Sequence, residues 1–228
     1  MRGELKAQRP ESTRDRIATA ARQLFAEHGY RGTSIVAIEE AAGLKPGTGA
    51  LYTHYKSKLD VLADVLERVE ASTREGYAYL DLLPLGDLRA ELTLLGRAQF
   101  AYLDMTRDYR RIMLKEHDRF PELFLGARRI QEDGYSWFAE WLADRAQENG
   151  NDRDVFDSSA VATVALTAVT AFWDSTSLYK RVSHQVSRER FLSAWVDLLY
   201  HELRRSAAEA STEADGRIHS SSSSERPA

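Results

Sequence analysis

The stretch from Thr33 to Lys58, TSIVAIEEAAGLKPGTGALYTHYKSK, constrains this chain most. Ile35, Ile38 and Ala42 recur at steps of three and four, the spacing of one apolar helical face, over a helix from about Ser34 to Ala42. Gly43 and the pair Pro46-Gly47 stop that helix. A second short helix then carries Leu51, Tyr52 and Tyr55. Two short helices meeting at a tight corner read as a helix-turn-helix, the arrangement that lays its second helix in the major groove of DNA.

The flanking residues support such a head. Ser12-x-x-Asp15 reads as a capping box opening a helix from Thr13 to His28, with Ile17, Ala21, Leu24, Phe25 and His28 on one face and Gly29 at its end. Ser57-x-x-Asp60 opens the next helix, whose apolar face (Leu59, Leu62, Val65, Leu66, Val69) runs toward Tyr79. The elements Gly29-Tyr30, Thr33-Ser34, Ile38, Ala41-Ala42-Gly43-Leu44, Gly49-Ala50-Leu51-Tyr52, His54-Tyr55 and Ser57-Lys58 followed by Leu62 resemble the DNA-binding domain of the TetR family of bacterial transcriptional regulators. The resemblance covers roughly the first quarter of the chain. One departure stands out: residues 44–50 separate Gly43 from Leu51-Tyr52, a corner two residues longer than is usual in that family, with the extra length around Lys45-Pro46.

After the head the pattern stays helical. Pro84 and Gly86 break the chain. Helices follow over about Asp87–Thr106, Tyr109–His117 and Pro121–Gln147, the last opened by a proline in its first turn. From Asp157 to Lys180 the residues leave no polar face, so a helix there must be covered on every side, one of them by a second subunit or by the rest of a monomer. Ser187 caps a final helix to about Arg205. No strand signal or internal repeat interrupts this, and the expected fold is all-α. Residues 1–11 read as a flexible basic arm, 12–58 as the helix-turn-helix domain, 59–207 as a helical body and 208–228 as a disordered Ser-rich tail.

Charge supports contact with nucleic acid at one end only. The net charge is −4, but residues 1–60 carry +3 and the remainder −7. The chain has no cysteine, which excludes disulfides and thiolate metal sites and fits a reducing cytoplasm. The first residues lack the apolar run of a signal peptide. The longest apolar uncharged run, Ser158–Trp173, falls short of the roughly 20 residues a membrane span needs. Enzyme signatures are missing as well: no phosphate-cradling glycine loop, no HExxH pair and no Gly-x-Ser-x-Gly elbow occur. The expectation is a cytoplasmic, non-enzymatic protein with no cofactor and no metal.

DNA binding needs donors to phosphate and side chains at base edges. Thr33 and Ser34 stand at a helix N-terminus, where hydroxyls and free N–H groups meet phosphate, or where Thr33 simply caps the helix. The resemblance assigns backbone grip to Tyr52, His54 and Lys58, Tyr52 having a core position as its alternative. Base reading falls to Lys45, Thr48, Gly49, Ala50 and Thr53.

The resemblance further implies a homodimer closing a four-helix bundle across a two-fold axis. Val161, Val164, Ala165, Ala168, Leu192, Trp195 and Leu199 are its expected interface. It also implies a small-molecule effector in the body, apolar or aromatic if Phe100, Met113, Phe120, Trp137, Trp141, Phe172 and Trp173 wall its pocket, with Tyr109, Glu116 and Asp174 as polar anchors. The function so implied is a ligand-responsive repressor binding a near-palindromic operator in double-stranded DNA. An activator, and a helical small-molecule binding or scaffolding protein that does not read DNA, are the alternatives.

Overall fold

The computed structural model describes residues 11–76, 83–180 and 185–205. The expected arm up to residue 10, the Ser-rich tail and the stretch toward Tyr79 lie outside them. Among the described residues every regular element is helical: α1 (Thr13–Gly32), α2 (Ile35–Ala41), α3 (Lys58–Gly76), α4 (Leu88–Met105), α5 (Arg107–Glu116), α6 (Leu125–Glu148), α7 (Ser158–Trp173) and α8 (Arg188–Arg204).

Caps explain most of the starts. The Ser12 hydroxyl accepts from Asp15 N while the Asp15 carboxylate accepts from Ser12 N, so the expected capping box is formed. Ser34, Asp157 and Ser187 likewise accept from the backbone three residues on and open α2, α7 and α8. Three elements differ from the sequence expectation. The second helix of the helix-turn-helix is a single 3-10 turn, Ala50–Thr53. Pro121 opens a separate 3-10 turn, Pro121–Phe124, ahead of α6. The late apolar helix changes after Trp173 to a π turn, Asp174–Leu178.

The described elements fall into two compact units. The first contains α1, α2, α3, α5 and the two 3-10 turns. Its core joins Ile17, Ala21 and Phe25 of α1 to Ile38, Leu51, Leu62, Leu66, Ile112 and Phe124. Both α3 and α5 pack along α1, so this unit extends well past residue 58. The second contains α4, α7, α8 and most of α6. There Phe138 stacks between Trp141 and Trp195 at 6.0 and 6.3 Å. The indole N–H groups of Trp173 and Trp195 donate to Asp104 and to the Ala165 carbonyl, at 2.8 and 3.0 Å, which removes the cost of burying them.

Candidate nucleic-acid interface

The helix-turn-helix hangs on the C-terminal end of α1, where Gly29 leaves helical geometry at φ 72°. Four side chains grip this end. Lys115 Nζ donates to the carbonyls of Ala26 and Glu27 at 2.6 and 2.7 Å, and the Glu116 carboxylate accepts from Tyr30 N at 2.7 Å. Lys58 Nζ donates to the carbonyls of Tyr30 and Thr33 at 2.6 and 2.7 Å and lies 4.2 Å from the Tyr30 ring centroid. Buried Thr33 donates its hydroxyl to the Gly29 carbonyl at 2.8 Å.

Two expected phosphate contacts are corrected by this geometry. The Lys58 ammonium caps α1, and burial followed by the nearby Arg119 guanidinium pushes its pKa down. The Thr33 hydroxyl is satisfied inside the protein. Glu116, expected as a surface charge or a ligand anchor, is buried and serves the head.

At the other end of α1 a charged network fixes α3. Arg68 donates to Asp64 at 2.6 Å and to Asp15 at 2.7 Å, and Arg14 donates to Asp64 at 2.8 Å. The Tyr55 hydroxyl donates to Asp64 at 2.8 Å. Hydrogen bonds from Ser12 and then Arg68 pull the Asp15 carboxyl down to about 2. Burial, with the Asp64 hydrogen bond, pushes the Tyr55 phenol up to about 12. Tyr55 is thereby locked in the core, with its neighbour His54 outside.

The corner itself is built around Glu39. This residue is fully buried; its carboxylate accepts from Gly47 N at 2.8 Å and from Leu51 N at 3.1 Å. Gly47 and Gly49 lie at φ 73° and 72°, backbone that residues with a Cβ rarely adopt. This explains why the reading segment is one 3-10 turn: a left-handed residue directly precedes Ala50 and no side chain caps it. From this frame Ser34, Lys45, Thr48, Tyr52, Thr53 and His54 project to the exposed surface, and Gly49 and Ala50 are half-buried. Tyr52 is 58 % exposed, which removes its core alternative. Thr48 donates its hydroxyl to the Lys45 carbonyl at 2.8 Å and keeps its lone pairs for accepting. Lys56 is also exposed and was not among the residues expected from sequence; a basic residue directly after His54-Tyr55 was the available signal. Glu39 left no such signal, because a glutamate beside Ile38 reads as an ordinary solvated position.

The body residues expected to wall one pocket divide between the cores of the two units. Met113 and Phe120 pack on the first unit's core. Phe100, Trp141 and Trp173 are buried in the second, with Trp137 and Phe172 packed against them. The second unit instead carries a groove of about 710 Å³ between α4 and α8. Phe100, Leu192 and Val196 form its apolar part, and Arg89, Arg97 and Arg188 stand around it. Arg188 pairs with Asp104 at 2.8 Å and Arg89 with Asp197 at 2.5 Å, each bridging the two helices. The expected dimer face is corrected too. Ala165, Leu192, Trp195 and Leu199 are buried within one chain, Val161 and Ala168 are half-buried, and Val164 is 71 % exposed. Leu198, absent from that expectation, is 73 % exposed.

A head of α1, α2 and a 3-10 turn, with left-handed glycines at its corner and an exposed Tyr-Thr-His segment, has the form of the helix-turn-helix class. Residues 17–65 match the family model described as bacterial regulatory proteins, tetR family. The chain is 35 % identical over 68 residues to the HTH-type transcriptional regulator AcrR of Shigella flexneri, covering 30 % of this chain and 31 % of that protein. It is 40 % identical over 50 residues to the HTH-type transcriptional repressor AcnR of Corynebacterium glutamicum, covering 22 % and 26 %. The chain spans about a third of the length of the curated relatives it matches. In fold the likeness is wider. The ketosteroid transcriptional regulator KstR2 of Mycobacterium tuberculosis superposes with a TM-score of 0.61 over 85 % of this chain and 95 % of its own, at 20 % identity.

Proposed function

We propose that this chain is a homodimeric, ligand-responsive transcriptional repressor that reads a near-palindromic operator. The observation that carries the reading is the exposed segment from Lys45 to Lys56, which offers an ammonium at each end and hydroxyl, phenol and imidazole groups between them. Those groups supply donors for phosphate and for base edges. Two such heads related by a two-fold axis would read half-sites about one helical turn apart.

The outer faces of α7 and α8 support the dimer. Val164 and Leu198 stand exposed beside the small exposed residues Ala160, Ala171 and Ala194, a surface suited to close helix packing. The groove between α4 and α8 supports a small-molecule effector with an apolar body and polar groups, because Phe100, Leu192 and Val196 lie beside a rim of paired arginine and carboxylate side chains.

The test is selection of genomic DNA fragments by the purified protein, followed by salt titration on the best fragment. A recovered near-palindrome whose affinity falls steeply with salt is the expected result. Tyr52→Ala should weaken binding to that fragment. Folded, dimeric protein that recovers no common sequence would overturn the reading.

A further inference from the structure

We propose that Glu39 is the residue that sets DNA sequence selectivity, by fixing the two ends of the long corner without touching DNA. The proposal rests on the DNA-reading function above. A buried carboxylate is stable only when hydrogen-bonded, and this one takes its hydrogen bonds from the backbone N–H groups of Gly47 and Leu51. These anchor points bracket Thr48, Gly49 and Ala50, three of the residues directed at base edges. The reading segment therefore hangs between two positions that α2 holds through Glu39. The other hydrogen bonds of the corner are short-range: the Thr48 hydroxyl donates to the Lys45 carbonyl, Leu44 N to the Glu39 carbonyl and Tyr52 N to the Gly49 carbonyl. Pro46 lacks an N–H, Gly47 and Gly49 occupy left-handed backbone, and the 3-10 turn that follows has no side-chain cap. A carboxylate with two acceptor oxygens ties the corner's middle and its exit to one point on α2. The phosphate-directed groups Ser34, His54 and Lys56 lie outside the span between the anchors.

This predicts a separation that general destabilisation would not give. In Glu39→Gln one backbone N–H faces an amide NH2 in place of an oxygen, and in Glu39→Ala both N–H groups lose their acceptor. Binding of the full-length protein and both variants is measured on the palindrome recovered by genomic selection and on a scrambled duplex of equal length, across a salt series. Ile17→Val, a core change in α1, controls for lost stability, and amide hydrogen exchange is followed at Gly47 and Leu51. The expected result is a loss of about tenfold or more on the palindrome for Glu39→Gln, the size of one lost base contact. Binding to the scrambled duplex and its salt slope stay within twofold, and exchange accelerates at the two amides. Glu39→Gln is close in size to the native residue and remains the readout if Glu39→Ala fails to fold. Variants that discriminate as well as wild type would overturn the proposal, as would equal weakening on both duplexes matched by Ile17→Val. A wild-type protein that prefers neither duplex would overturn the DNA-reading function itself.

Discussion

The Lys58 ammonium donates to two backbone carbonyls and rests on the Tyr30 ring. Lys56, two residues earlier, is exposed. The two lysines should therefore answer differently to removal. Lys58→Ala should lower the head's stability by about 1–2 kcal/mol, the scale of a charged hydrogen-bond donor lost from a helix end, while leaving the salt slope of DNA binding intact. Lys56→Ala should leave the melting curve in place and reduce that slope by about one. Chemical denaturation and a salt titration on each variant check both outcomes. Asp15 gives a pH prediction. Its folded pKa of about 2 lies below the ordinary carboxylate value of 3.8. Its contribution to stability is therefore complete above that ordinary value and is lost as the pH falls toward 2. Circular dichroism between pH 2 and 5 should find Asp15→Asn less acid-sensitive than wild type. At this scale the core was legible, since Ile17, Phe25, Leu51 and Tyr55 follow from helical spacing and burial. Glu39, Lys58 and Glu116 were not. Their partners are backbone groups 8, 28 and 86 residues away in sequence, which no local pattern encodes.

Elements were legible where a side chain caps them and blurred where the backbone alone decides. Ser12, Ser34 and Ser187 mark their helix starts because their hydroxyls accept a specific N–H. Pro121 was read as a helix start, yet it opens only a 3-10 turn before α6, and the reading helix shrank to one turn behind left-handed Gly49. Packing between elements is set at single positions. At Gly96 of α4 an added Cβ would come within 2.4 Å of Leu192 Cδ1 on α8. Gly96→Ala should therefore overpack this crossing and destabilise the protein by about 1–3 kcal/mol in urea denaturation. Leu192→Ala in the same chain should recover part of that loss, because it removes the clashing methyl groups. Simple additivity of the two changes would mean the contact does not limit the approach of α4 and α8.

At the scale of assembly the sequence pattern and the exposed side chains point to different stripes of α7 and α8. The stretch from Asp157 to Lys180 reads as leaving no polar face, which implied cover on every side. The chain covers one side of α7 with Ala162, Ala165, Val169 and Trp173. The opposite side exposes Val164, and α8 exposes Leu198. Periodicity alone cannot say which stripe a chain keeps for its own core, so Leu192, Trp195 and Leu199 were expected at an interface although they are buried within one chain, and Leu198, which is exposed, was not among them. If these outer faces meet their copies, each exposed side chain becomes buried against its mate, and a charge placed there must be desolvated without a partner. The double variant Val164→Asp/Leu198→Asp should then sediment at half the wild-type mass. Its circular dichroism should stay close to wild type, because neither side chain contributes to one chain's core. The melting temperature of wild type, but not of the variant, should rise with protein concentration, since association stabilises only the folded state. Affinity for a palindromic operator should fall toward that for a single half-site. A variant that stays dimeric would move the interface off α7 and α8.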